Sequence, residues 1–338
     1  MRSLITGASG FIGYHLVRRL RAAGDDIRCL VRRDSDIEFI KFPEVEFVYG
    51  DLNDVSSLRR VVSGCDVVYH LAGRVRAISK KDFLAVNCDG TQNMLDAISE
   101  LTTPPVFVYV SSLAAAGPSG NESPKVETDI STPITDYGES KLMAERLIAG
   151  FCCKIPCSII RPAIVFGGAD KMNLELFQTV KKLGICPIPG WRMRTYSWIY
   201  AGDLSELLQA VAIGGERVDA NVVDQTNPSG VGMYYATGDK GTKLSDVGEM
   251  IGKSLGRQGV LMIHFLPLTV FIISTFYEVK KILTGKNVPY DWSKAIESKH
   301  DWCCSAQKAE QQLNFKINST LEERIQETTN WYKEKGWL

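Results

Sequence analysis

The sequence predicts an α/β fold, a doubly wound parallel sheet with a smaller α/β lobe at its C-terminal end. Three observations predict it. Short apolar strands end in small-residue turns and are followed by helical patterns, recurring about every 20 to 30 residues, as in successive βαβ units. The first strand runs directly into a glycine-spaced turn, Thr6-Gly7-Ala8-Ser9-Gly10-Phe11-Ile12-Gly13. With 338 residues, the chain is also longer than one sheet of this kind needs, at about 150 residues per domain.

Composition bounds the function. Hydrophobic residues make up 45% and charged residues 23%, as in a soluble globular chain. The 39 basic and 39 acidic residues cancel, which argues against a nucleic-acid partner and for work on a small molecule. Nine cysteines include Cys152-Cys153 and Cys303-Cys304 but no C-x-x-C pair and no zinc spacing, so no metal site is expected. Reduced thiols, a cytoplasmic location and no secretory signal ahead of the first strand are expected.

In the first turn, Gly7 allows a sharp bend, Gly10 allows the backbone to approach a phosphate, and Gly13 lets the helix lie close to the strand. The following helix aims its free amides and positive end at one point, where a pyrophosphate can sit. A purely structural glycine turn would carry the same letters. The helix should run from Phe11 to Ala23, with Leu16, Val17 and Leu20 inward and Gly24 as its stop.

The second strand, Ile27 to Val31, ends in Arg32-Arg33, which suits a ribose 2′-phosphate and favours NADP(H) over NAD(H). Alternatively the arginines are solvated and Asp34 or Asp36 serves the ribose. A third strand, Val45 to Tyr49, leads to Gly50-Asp51-Leu52, where Asp51 can meet the adenine amino group. The fourth, Val67 to His70, leads to Leu71-Ala72-Gly73, small enough to pass under a cofactor; His70 itself reads as packing or a backbone hydrogen bond. A helix with Asn87, Gly90, Thr91 and Met94 precedes the fifth strand, Val106 to Val110, which delivers Ser111, Ser112 and then Gly117. Asp136-Tyr137-Gly138-Glu139-Ser140-Lys141 opens the next helix, and Tyr137 and Lys141, four apart, project from one face.

Together Gly7 to Gly13, Asp51-Leu52, Ser112 and Tyr137-x-x-x-Lys141 resemble the extended short-chain dehydrogenase/reductase family, which contains NAD-dependent epimerases and dehydratases. Arg161-Pro162 with Gly167, and Ile199-Tyr200-Ala201-Gly202-Asp203, extend the resemblance over about two thirds of the chain. It implies a Rossmann fold binding NAD(P) through Gly7, Gly10, Phe11, Ile12, Gly13, Arg32, Arg33, Asp51, Leu52, Leu71, Ala72, Gly73, Tyr137 and Lys141. It implies Tyr137 as general acid/base, Ser112 as hydrogen-bond partner of the substrate oxygen, and Lys141 as ligand of the nicotinamide ribose. Ser112 is preferred to Ser111 because its spacing to Gly117 fits the family's S-x-x-x-x-G pattern. A phenol titrates near 10, so Lys141 is expected to depress Tyr137, an effect worth roughly 3 to 4 kcal/mol.

The expected division is a dinucleotide domain over 1–170, to which about 196–240 returns, and a substrate lobe from 171–195 and 241–338. The lobe should hold a helix over Asn173 to Leu183, then a loop, Cys186 to Trp191, able to cover the substrate. Arg192 and Arg194 follow; Tyr196, four before Tyr200, stands where nucleotide-sugar members of the family carry an arginine. Tyr234 to Gly238 reads as a strand and Ser245 to Leu255 as a helix.

From Gln258 to Tyr277 there is no charged residue. A helix from Pro267 would set Leu268, Phe271, Ile272, Thr275 and Val279 on one side, as a buried or substrate-lining helix, a peripheral membrane contact through 260–277, or a span. The 3β-hydroxysteroid dehydrogenase and dihydroflavonol reductase branch, which this stretch resembles, implies a mainly apolar substrate. Two helices, one from Trp302 to Phe315 and one from Leu321 to Trp331, should close the chain, and pairing into a homodimer is open by analogy with the family. Three functions stand: an alcohol/ketone oxidoreductase with net change of nicotinamide absorbance, a nucleotide-sugar epimerase or dehydratase without it, and an NAD(P)-sensing binding protein with no reaction.

Overall fold

The computed structural model describes residues 1–120, 123–265, 267–284 and 292–338. Strand β1 (Arg2–Thr6) leads through the glycine turn to α1 (Phe11–Ala22), then β2 (Asp26–Val31), β3 (Val45–Tyr49), α2 (Val55–Val62) and β4 (Val67–His70). Helix α3 (Lys80–Leu84) continues through a π-helical turn, Ala85–Asp89, into α4 (Gly90–Ser99). Next come β5 (Val106–Val110), α5 (Leu113–Ala116), α6 (Asp136–Gly150) and β6 (Cys157–Pro162).

The second half alternates between sheet and lobe. It holds β7 (Ile164–Phe166), α7 (Leu174–Leu183), β8 (Ile185–Pro189), β9 (Thr195–Tyr196), β10 (Trp198–Tyr200), α8 (Ala201–Gly214) and β11 (Met233–Ala236). It closes with β12 (Thr242–Lys243), α9 (Leu244–Ser254), β13 (Leu261–Phe265), α10 (Pro267–Thr284), α11 (Trp292–Glu297), α12 (Gln307–Leu313) and α13 (Leu321–Glu334).

Seven parallel strands form the main sheet in the order β11-β6-β5-β4-β1-β2-β3. The chain winds outward in both directions from β1 and β4, so the crevice between their C-terminal ends is where such a sheet receives a ligand. Side chains alternate across it. Ile5, Tyr69, Val108 and Ile160 face Leu16, Val17 and Leu20 of α1 and Leu204 and Leu208 of α8. Their neighbours Leu4, Val68, Phe107 and Ile159 face α2, α4 and α6 through Leu58, Met94, Leu95 and Leu142. Burying both faces explains why these strands read as unbroken apolar runs.

Two lobe expectations fail. Cys186 to Pro189 is strand, not loop: β8 pairs in parallel with β13, with Cys186 and Ile188 buried. Its two prolines disguised it, since proline is tolerated only where the ladder needs no donor, and β8 pairs on one side only. In the uncharged run from Gln258 to Tyr277 the helix expected from Pro267 forms as α10, but the residues ahead of it form β13, and the expected burial of the helix fails. On α10, Phe271, Ile272 and Val279 are exposed rather than buried, while the opposite side buries Ser274 and Lys281. Leu266 and the side chains of Pro267 and Leu268 lie outside the described residues. Among the described residues no helix is long and apolar enough to cross a membrane.

Candidate active site

The glycine turn is shaped by contact. Gly7 has φ +71, and a Cβ there would meet the Ala72 amide at 2.7 Å; a Cβ on Gly13 would meet the Gly7 carbonyl at 2.4 Å. Both positions therefore exclude side chains, and the turn is pinned by the Gly10 amide donating to the Gly7 carbonyl at 3.0 Å. The first turn of α1 carries no acidic residue and no side-chain cap, leaving the amides of Phe11, Ile12 and Gly13 for an anion. Leu71 and Ala72 lie against the turn, their amides donating to the Thr6 carbonyl and hydroxyl, both at 3.2 Å. A Cβ on Gly73 would stand 3.3 Å from Lys141 Nζ, so this loop bridges the glycine turn and the lysine. These close approaches fit a dinucleotide laid across the ends of β1 and β4.

At the outer end, Arg32 pairs with Asp34 at 3.1 Å, both well exposed, and the Arg33 guanidinium lies 5.8 Å from the Tyr49 ring. Asp51 accepts from the amide and side-chain nitrogen of Asn53, and Leu52 is held by Asn93, which donates to its carbonyl at 2.9 Å.

Ser112, Tyr137 and Lys141 converge because α5 and α6 can touch. A Cβ on Gly138 would fall 2.3 Å from the Ala114 carbonyl, and one on Gly117 2.1 Å from the Thr132 carbonyl. Glycine at both places lets α6 rest on the turn that follows Ser112, which caps α5 by accepting from the Ala114 amide. Ser112 acts on the phenol, favouring its ionised form. Ser140 holds the start of α6 from behind: its hydroxyl donates to the Tyr137 carbonyl and accepts from the Asn87 side chain at 2.9 Å.

The electrostatics differ from the sequence expectation. Lys141 Nζ donates to the Val110 carbonyl (2.8 Å) and the Tyr109 hydroxyl (3.1 Å) beneath the site. Burial pushes this ammonium down to about 8, against the pull of Glu145 and Cys88. Burial raises the Tyr137 phenol to about 12; Ser112 opposes the rise and the charge of Glu297 adds to it. Burial thus raises the phenol, and the lysine, whose donors are turned to the strand end, does not offset it.

His70 is packed, as expected, fully buried against the Phe107 and Tyr109 rings; its own ring also bonds Thr6 at 2.8 Å and Thr91 at 3.1 Å, and burial pushes it down to about 3. Sequence reasoning missed a fully buried ion pair one turn beyond Lys141. Arg161 Nε donates to Glu145 at 2.9 Å, Ser111 also bonds Glu145, and Arg161 reaches the Tyr235 hydroxyl at 3.0 Å. Burial opposes the guanidinium's charge, and Glu145 more than offsets it. The available signal was spacing: Tyr137, Lys141 and Glu145 follow at intervals of four on one helix face.

A parallel sheet with this glycine turn and this serine, tyrosine and lysine at one crevice defines a dinucleotide-binding α/β protein of the extended short-chain dehydrogenase/reductase type. The model of the NAD dependent epimerase/dehydratase family matches residues 3–221, and the chain belongs to that family. The chain is 27% identical over 337 residues to a ceramide reductase of Caulobacter vibrioides, covering 99% of this chain and 95% of that one. It is 32% identical over 175 residues to sterol demethylase protein B of Methylococcus capsulatus, covering 50% of this chain and 53% of that protein. Its fold is that of the dTDP-glucose 4,6-dehydratase of Streptomyces venezuelae, solved with NAD and TYD bound, at TM-score 0.78 and 20% identity over 100% of this chain and 98% of that one.

Proposed function

We propose that the chain is an NAD(P)-dependent oxidoreductase that interconverts a secondary alcohol and a ketone on a mainly apolar small molecule. The observation that carries this reading is the convergence of Ser112, Tyr137 and Lys141 beside the Gly73 loop, with Lys141 Nζ 3.3 Å from where a Cβ on Gly73 would lie. The nicotinamide, when bound, supplies or accepts the hydride. Tyr137 gives its proton to, or takes it from, the substrate oxygen, and a phenol held near 12 is well protonated at neutral pH, which suits it as the acid of ketone reduction. Ser112 orients that oxygen; Lys141 holds the cofactor ribose once it leaves the strand carbonyl.

Apolar substrate chemistry is supported by the relatives named for ceramide and sterol. Arg32 and Arg33 favour NADP(H), a homodimer accompanies this reading, and α10 gives peripheral membrane contact through its exposed Phe271, Ile272 and Phe276. Tyr137→Phe should lower turnover about 10²- to 10⁴-fold with cofactor affinity nearly unchanged; unchanged turnover would remove Tyr137 from the reaction.

The fold shared with a nucleotide-sugar dehydratase favours a second reading, an internal redox cycle. Screening steroid-like, long-chain and UDP-sugar compounds while following nicotinamide absorbance and product together separates the two: product without absorbance change selects the second.

A further inference from the structure

A buried chain of hydrogen bonds joins the loop under the crevice to the helix that carries the phenol, and His70 stands in the middle of it. Thr6, His70, Thr91, Asn87 and Ser140 are each at most 1% exposed, so each of their polar hydrogens needs a protein acceptor. On one side the Ala72 amide donates to the Thr6 hydroxyl at 3.2 Å, and that hydroxyl lies 2.8 Å from His70 Nδ1. On the other, His70 Nε2 lies 3.1 Å from the Thr91 hydroxyl, which donates to the Asn87 carbonyl at 2.8 Å. The Asn87 side chain then grips the Arg74 backbone, accepting from its amide at 2.7 Å and donating to its carbonyl at 3.1 Å. It also donates to Ser140 at 2.9 Å, and Ser140 donates to the Tyr137 carbonyl at 2.7 Å.

The available hydrogens give this chain a direction. Thr91 directs its only hydroxyl hydrogen at Asn87 and therefore accepts from the ring, so Nε2 carries the imidazole proton. Nδ1 is then bare and accepts from Thr6. The opposite tautomer would aim Nδ1–H at a hydroxyl that already accepts from Ala72, and would leave the Thr6 hydrogen without an acceptor among the described residues. Every donor from Ala72 to Ser140 thus points towards Tyr137. Stacking fixes the ring as well: its centroid lies 5.5 Å from that of Phe107 and 5.9 Å from that of Tyr109, whose hydroxyl accepts from Lys141 at 3.1 Å.

We propose that His70 is a positioning residue, held as the Nε2–H tautomer, through which the loop at Ala72 to Arg74 and the first turn of α6 keep one fixed spacing, so that Tyr137 is set relative to the cofactor loop. The kinetic part of its test rests on the alcohol/ketone reading above; the spectroscopic part does not.

The full chain carries four histidines, few enough for selective nitrogen-15 labelling with assignment through bonds. At neutral pH His70 should show a protonated Nε2 and a bare Nδ1. Thr91→Val, which removes the acceptor beyond the ring and keeps its shape, should convert His70 to the Nδ1–H form and speed hydrogen exchange of the Ala72 amide about 10-fold. An Nδ1–H form in the native chain, or unchanged Ala72 exchange in Thr91→Val, overturns the inference. With a ketone that the chain reduces, His70→Phe keeps the stacking but neither bond and should lower kcat about 10- to 100-fold, with NADPH affinity, read by fluorescence, changed less than about 3-fold. His70→Asn, which offers an acceptor and a donor, should recover most of kcat, and Thr91→Val should add little to the loss in His70→Phe. Unaltered kcat in His70→Phe, or additive losses in the double variant, also overturns the inference. Reduction of no ketone by the native chain overturns the oxidoreductase reading instead, and His70 is then decided by tautomer and exchange alone.

Discussion

Two regions of the molecule are built on opposite terms. On the sheet side, the glycine turn, the Gly73 loop and the start of α6 approach so closely that a single added carbon would collide with backbone at Gly7, Gly13 or Gly138. In the C-terminal part, α10 leaves Phe276 and Leu283 66% and 79% exposed. The glycine-turn region is closed by short-range contact, while α10 leaves apolar surface uncovered.

Removing a buried charge should break the comparison most forcefully. Arg161→Met strands Glu145 at the foot of α6 and should cost about 3 to 5 kcal/mol, read as loss of denaturation midpoint. A cost below about 1 kcal/mol would mean that the sheet-side wall tolerates slack. Acid should expose the same wall next. His15 and His70 are held near 4 and 3 by burial, so below their ordinary value the unfolded chain takes up protons that the folded one refuses. The histidine contribution should therefore be constant above about pH 7 and fall between about pH 6.5 and 4, on the order of 1 kcal/mol per pH unit for each histidine. His70→Asn, keeping bonds to Thr6 and Thr91, should flatten that slope; an unchanged slope would assign the acid sensitivity elsewhere.

A smaller effect is expected at the exposed edge of the cofactor wall. Replacing Arg32 and Arg33 together by Ser should weaken NADPH about 10-fold and leave NADH nearly unchanged, measured by fluorescence titration. Equal weakening of both would show that neither guanidinium meets the 2′-phosphate and that Asp34 is free to serve the ribose.

What was legible in the sequence follows the same divide. The parallel sheet, its strand ends and the meeting of Ser112 with Tyr137 were readable because each depends on a local rule: a glycine where a Cβ would collide, or an interval of four on a helix. Strand β8 was not, because its prolines read as loop and its partner β13 lies more than seventy residues on, inside a run whose lack of charge resembled one long helix. The orientation of Lys141 was hidden too. Spacing puts its ammonium one turn from Tyr137, but the bare carbonyl of Val110 decides where it points.

The smallest effect in folding terms carries the most about the lobe. Phe276→Ser and Leu283→Ser remove large apolar side chains, which in a packed core would cost several kcal/mol; on a face this open each should change stability by less than about 0.5 kcal/mol. If α10 lies on a lipid surface, the same pair should sharply reduce co-sedimentation with anionic phospholipid vesicles, because each ring or branch seated among acyl chains contributes on the order of 2 kcal/mol. Unchanged stability with lost vesicle binding marks the face as a docking surface. A large loss of stability in solution would instead mean that the face is covered there, by this chain or by a second copy, and the contrast between a closed wall and an open one would have to be withdrawn.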